Sequence, residues 1–138
     1  MSIFKYYSPG FTLFGGGSVQ GIAEEIRYRG WKKAFVVADE KLRQTGIVDK
    51  VMAVLEAEHT EICLFSDFKP NPTTGNVNRG AALFVTEGCD FLISVGGGSA
   101  HDCAKAISVV AACGGKIEDY RGVDKSTHTY PLVAVTTT

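Results

Sequence analysis

Gly96-Gly97-Gly98-Ser99 stands between an apolar run and a helical pattern, and is followed by Ala100-His101-Asp102-Cys103-Ala104-Lys105. Three glycines let a backbone turn tightly and come close to a bound group with no Cβ in the way. The amides that open a helix, with the positive end of its dipole, suit a pyrophosphate. The strict dinucleotide fingerprint wants a further glycine three residues after Gly98, where His101 stands, and no Gly-Lys-Ser/Thr follows as a Walker A loop requires. The competing reading is purely structural. Ser99 and Asp102 have the spacing of a capping box, Ser99 accepting from the backbone and Asp102 reaching back, and His101 is then expected to face solvent.

Asp39 closes a second apolar run. An acid at the end of such a strand takes ribose hydroxyls in doubly wound nucleotide folds, and its charge opposes a 2′-phosphate, which favours NAD over NADP. The alternative to ribose binding is a helix N-terminal acid or a plain surface carboxylate. Gly15-Gly16-Gly17-Ser18 is a second glycine turn, suited to supporting a nucleotide from the other side of a crevice or to a tight connection with Ser18 as N-cap.

These residues need elements to hold them. Ala34–Ala38, Glu61–Phe65, Phe91–Val95 and Leu132–Val135 read as strands, and Phe11–Phe14 is a short apolar run. Between them apolar residues recur at helical spacing: Val19, Ile22, Ala23 and Ile26, then Val48, Val51, Met52 and Leu55. Val77, Ala81, Phe84 and Val85 are expected to line one face of a third helix, and a fourth is expected from Ser99 to about Cys113. Gly30 stands where a helix C′ residue belongs. Apolar strands separated by helices call for a parallel sheet covered on both faces, hence an open, doubly wound, Rossmann-like α/β domain. Such sheets bind ligands at the carboxyl ends of their strands, where the unusual residues fall.

With 138 residues, 45% hydrophobic and 21% charged, the chain suits one globular domain, residues 1–138, with no linker or repeat. A net charge of −1 gives no field for nucleic acid or an anionic membrane surface, and no apolar run is long enough to span a bilayer. Without a secretory pattern the expectation is a cytoplasmic protein whose cysteines, Cys63, Cys89, Cys103 and Cys113, are reduced and pack as small apolar side chains. The histidines, His59, His101 and His128, include no i, i+4 pair of the kind that binds metal on a helix.

Taken together, these stretches resemble the iron-containing (group III) alcohol dehydrogenases, the family of 1,3-propanediol dehydrogenase, lactaldehyde reductase and bacillary NAD-dependent methanol dehydrogenases. Gly96 to Lys105 is similar to the family's GGGSxxDxxK signature at every fixed position. Phe14-Gly15-Gly16-Gly17-Ser18, Val37-Ala38-Asp39 and Lys69-Pro70-Asn71-Pro72-Thr73 look like its first glycine turn, its cofactor-selecting strand end and its P-N-P-T segment. Pro131 to Thr138 looks like the strand that leads into its T-T-x-G-T segment, with Thr136 where Pro is commonest.

The resemblance implies a dehydroquinate synthase-like N-terminal domain and a role for each motif. Gly97, Gly98 and Ser99 would cradle the pyrophosphate of NAD, with Gly96 part of the same cofactor-binding turn, and Asp39 and Asn71 would lie along the adenosine side. Asp102, Thr137 and Thr138 would approach the nicotinamide ribose and nearby phosphate. It also implies a helical domain beyond these residues, holding iron or another divalent metal through one Asp and three His, so that this chain supplies no metal ligand and only part of the NAD crevice. The intact enzyme would interconvert primary alcohols or diols and aldehydes by hydride transfer, as a homo-oligomer, and this chain alone would be inactive. A self-standing nucleotide-binding or assembly module is the alternative. A glycerol dehydrogenase or dehydroquinate synthase relative fits the Gly96–Lys105 run less well.

Overall fold

The computed structural model describes residues 18–68, 73–116 and 129–137. The expected run Phe11–Phe14, the turn Gly15-Gly16-Gly17, Asn71 and Thr138 lie outside them. A 3-10 turn, Ser18–Gln20, leads into α1 (Gly21–Arg29), followed by β1 (Lys33–Ala38). A 3-10 segment, Glu40–Thr45, precedes α2 (Ile47–Ala57) and β2 (Glu61–Phe65). Then come α3 (Thr74–Glu87), β3 (Phe91–Gly96), α4 (Gly98–Cys113) and β4 (Leu132–Thr136). As its sequence requires, α1 ends on Gly30 in the left-handed region, φ 69°.

Among the described residues all strand pairs are parallel, in the order β2-β1-β3-β4. β1 and β3 are buried along nearly their whole length, as central strands covered on both faces must be. Alternation along them divides the core. Ala34, Val36 and Ala38 of β1, with Phe91, Ile93 and Val95 of β3, pack against α1 and α2. Phe35, Val37 and Leu92 pack against α3 and α4 on the opposite face. The sheet is therefore doubly wound, and its order reverses between β1 and β3.

The face that α3 buries is rotated from its expected position. Val77, Ala81 and Phe84 are buried, but Val85 is 59% exposed, and Asn76 and Gly80 take the inner flank instead. Gly80 explains this. A Cβ there would lie 2.4 Å from Ile107 Cδ1 of α4, so the missing side chain lets the two helices close on that side. Thr73 and Asn76 form the capping box of α3, and Asn76 Nδ2 also donates to the carbonyl of Asp67. Two hydrogen bonds from Lys32 and Lys33 amides to the Asp90 carboxylate join the foot of β1 to that of β3.

Candidate nucleotide site

The point where strand order reverses lies between the carboxyl ends of β1 and β3, where ligands enter such sheets. Ala38 pairs with Val95, so Asp39 leaves β1 beside the glycine turn that leaves β3. Asp39 is half-buried and caps the 3-10 segment, its Oδ1 accepting from the Lys41 amide at 2.9 Å. The capping reading is thus realised, and it leaves the carboxylate further lone pairs for a ribose diol. The same segment carries Leu42 back onto the turn. A Cβ on Gly96 would lie 3.1 Å from Leu42 Cδ1 and 3.3 Å from the Ala100 Cβ, and its φ is +142°. Geometry alone therefore demands glycine at 96.

Gly98 differs. Its φ is not in the left-handed region, and a Cβ built on it meets nothing within 4 Å. The space over the first turn of α4 is open to a ligand. Gly97 is the N-cap, extended at φ −99° and ψ −160°, and as glycine it has no side chain with which to cap the helix. The first amides of a helix have no acceptor within it, and those of a 16-residue helix also carry the positive end of its dipole.

The competing capping-box reading, with Ser99 as N-cap and Asp102 at N3, is therefore not realised. The helix begins one residue early, at Gly98, because Gly97 takes the extended N-cap conformation, which places Ser99 inside the first turn and exposed Asp102 in the second. His101 also departs from expectation. It is half-buried rather than turned to solvent, with Nδ1 2.6 Å from Ser94 Oγ and Nε2 3.4 Å from Thr136 Oγ1. Burial is the main reason its pKa is lowered from the ordinary 6.5; Lys105 adds to the effect and Asp102 opposes it. Ser94 is fully buried on the α4 side of β3, and a lone hydroxyl in the apolar run Phe91–Val95 was the clue that a polar partner must reach it.

Thr137 completes the described rim. Gly96 pairs with Thr136, and the Thr137 amide donates to the Gly96 carbonyl at 3.2 Å. The structure thus gathers Asp39, Gly96, Gly97, Gly98, Ser99 and Thr137 at one end of the sheet. None of the four cysteines is in a disulfide, and burial pushes the Cys103 thiol beneath the turn up to about 11, which disfavours its thiolate. Among the described residues no group of three or more His, Cys, Asp or Glu could hold a metal ion.

The sequence model for the iron-containing alcohol dehydrogenases matches residues 9–138. The chain belongs to that family. It is 45% identical over 139 residues to alcohol dehydrogenase 4 of Schizosaccharomyces pombe, covering 100% of this chain and 33% of that protein. It is 38% identical to the NAD-dependent methanol dehydrogenase of Bacillus methanolicus, covering 97% of this chain and 35% of the relative. Among solved structures, a 1,3-propanediol oxidoreductase superposes with a TM-score of 0.91 at 39% identity, covering 99% of this chain and 36% of its own. This iron-containing alcohol dehydrogenase chain thus spans about a third of the length of the curated relatives it matches.

Proposed function

We propose that these residues form the NAD-binding domain of a metal-dependent alcohol dehydrogenase. One observation carries the reading: Gly98, with neither conformational nor steric need to be glycine, opens α4 beside an acid at the reversal point of the sheet. A pyrophosphate over Gly97, Gly98 and Ser99 accepts from the amides of the first turn. Asp39 takes the adenosine ribose diol, with Asn71 along the adenosine, and Asp102, Thr137 and Thr138 line the nicotinamide ribose. The assignment of Asp102 to a hydroxyl rather than a phosphate follows from charge, since a carboxylate repels the anion.

Bound NAD supplies a hydride acceptor, taking hydride from a primary alcohol or diol to leave the aldehyde and a proton, or returning it in reverse. The protein's part is to bind and orient. In the intact enzyme, a cytoplasmic protein and, by its family resemblance, a homo-oligomer, the divalent metal is held by residues other than those described. With a third of the relatives' length, the 138 residues bind nucleotide but do not turn over substrate. NADH formation from 1,2- or 1,3-propanediol by this chain alone, at enzymatic rates, would refute that.

Charge at residue 39 gives the direct test. NAD is expected to raise the melting temperature more than equimolar NADP. Asp39→Asn keeps an oxygen for the cap but removes the charge that opposes a 2′-phosphate, so the difference should narrow. Tighter binding of NADP by the unaltered chain would overturn the assignment.

A further inference from the structure

The imidazole of His101 joins three elements. It rises from the first turn of α4, meets the Ser94 hydroxyl of β3 with one nitrogen and the Thr136 hydroxyl of β4 with the other. Two turns further along α4, buried Ser108 donates to the Tyr130 carbonyl at 3.0 Å and accepts from the Tyr130 amide at 2.7 Å, just before β4 begins. β4 is thereby strapped to α4 at both ends. The strap at the His101 end lies over the pair Gly96 and Thr136, beside the bond from the Thr137 amide to Gly96.

We propose that His101 is a positioning residue for nucleotide, a neutral clasp that holds the end of β4 against the first turn of α4 so that Thr137 and the helix amides meet the ligand as one surface. The inference rests on the nucleotide reading above for its ligand, and on the hydrogen bonds alone for the clasp. A neutral ring donates from one nitrogen and accepts at the other, so its two contacts are ordered together: a Ser94 hydroxyl that donates to Nδ1 leaves Nε2 to donate to Thr136, and the reverse. Proton transfer is not its task. Ser94 is fully buried, so a proton arriving from Thr136 has no exit. The charged groups acting on the ring are Lys105 and Asp102 of its own helix, while β3 and β4 present uncharged partners, the Ser94 and Thr136 hydroxyls and the Gly96 backbone.

A double-mutant cycle on the full 138-residue chain tests this, read by NAD affinity and by exchange of the Thr137 amide without nucleotide. His101→Ala should weaken NAD by about three- to tenfold, the worth of a lost neutral hydrogen bond, and speed Thr137 exchange. Thr136→Val keeps the β-branched shape at an exposed strand position, so it folds, and should lose part of the same affinity. The double variant should be no worse than His101→Ala, because both remove one interaction. His101→Gln, with a polar end that reaches Thr136, should recover most of the loss. Additive losses, or unchanged Thr137 exchange in both single variants, would overturn the clasp. Failure of the unaltered chain to bind NAD would instead remove the nucleotide reading, and Thr137 exchange would still decide the clasp.

Discussion

Gly96 and Gly98 are two residues apart and are glycine for different reasons, which mutation can separate. Gly96→Ala puts a Cβ against Leu42 and Ala100 at a φ of +142°, and should cost roughly 1–3 kcal/mol of stability by thermal denaturation. Gly98→Ala meets no neighbour and should leave stability within about 0.5 kcal/mol, yet it should weaken NAD binding by filling the space the ligand needs. Equal loss of stability in both would contradict the distinction. His101 adds a pH dependence. Its folded pKa lies below the ordinary 6.5, so on acidification through that value the unfolded chain takes up a proton that the folded chain refuses, and stability falls. His101→Gln should flatten the fall in chemical denaturation measured below about pH 6.5. The glycine turn was legible as a tight strand-to-helix connection because three glycines follow an apolar run and precede a helical pattern. The inward turn of His101 was not, since its direction depends on where the helix starts and on a buried hydroxyl on another strand.

At the scale of elements, the close approach of α3 and α4 depends on Gly80. Gly80→Val should push Ile107 aside and cost about 3 kcal/mol, read as a lower denaturation midpoint with the same slope. The described strands and helices follow the apolar periodicity closely, because β1 and β3 are buried on both faces and α2 shows a clear stripe of Val48, Val51 and Leu55. The departures have local causes. Val85 continues the apolar spacing but falls outside the contact with α4 that Gly80 sets. Ser99 and Asp102 have capping-box spacing, yet Gly97 takes the N-cap with no side chain at all. Spacing states which residues share a turn, and backbone conformation decides where the turn begins. Burial also keeps the thiols quiet: Cys89 is pushed up to about 12, mainly by burial, with Cys63 beside it. Cys89 and Cys103 should resist thiol reagents until the chain unfolds, and fast modification of either in the native state would contradict this packing.

For the whole molecule, the order β2-β1-β3-β4 is what brings Asp39 and the Gly96–Ser99 turn together, although they are far apart in sequence. Crossover rules made a doubly wound sheet with both at strand ends an expectation, while the strand order and the contact of Leu42 with the turn depend on tertiary packing. The central claim is that this reversal point is a nucleotide site. Titration of the isotopically labelled 138-residue chain with NAD, followed through its backbone amide resonances, tests it most directly. Saturable shifts centred on Asp39, Gly96 to Ala100 and Thr137 are the expected result. Shifts centred elsewhere, or none at millimolar NAD, would contradict the claim.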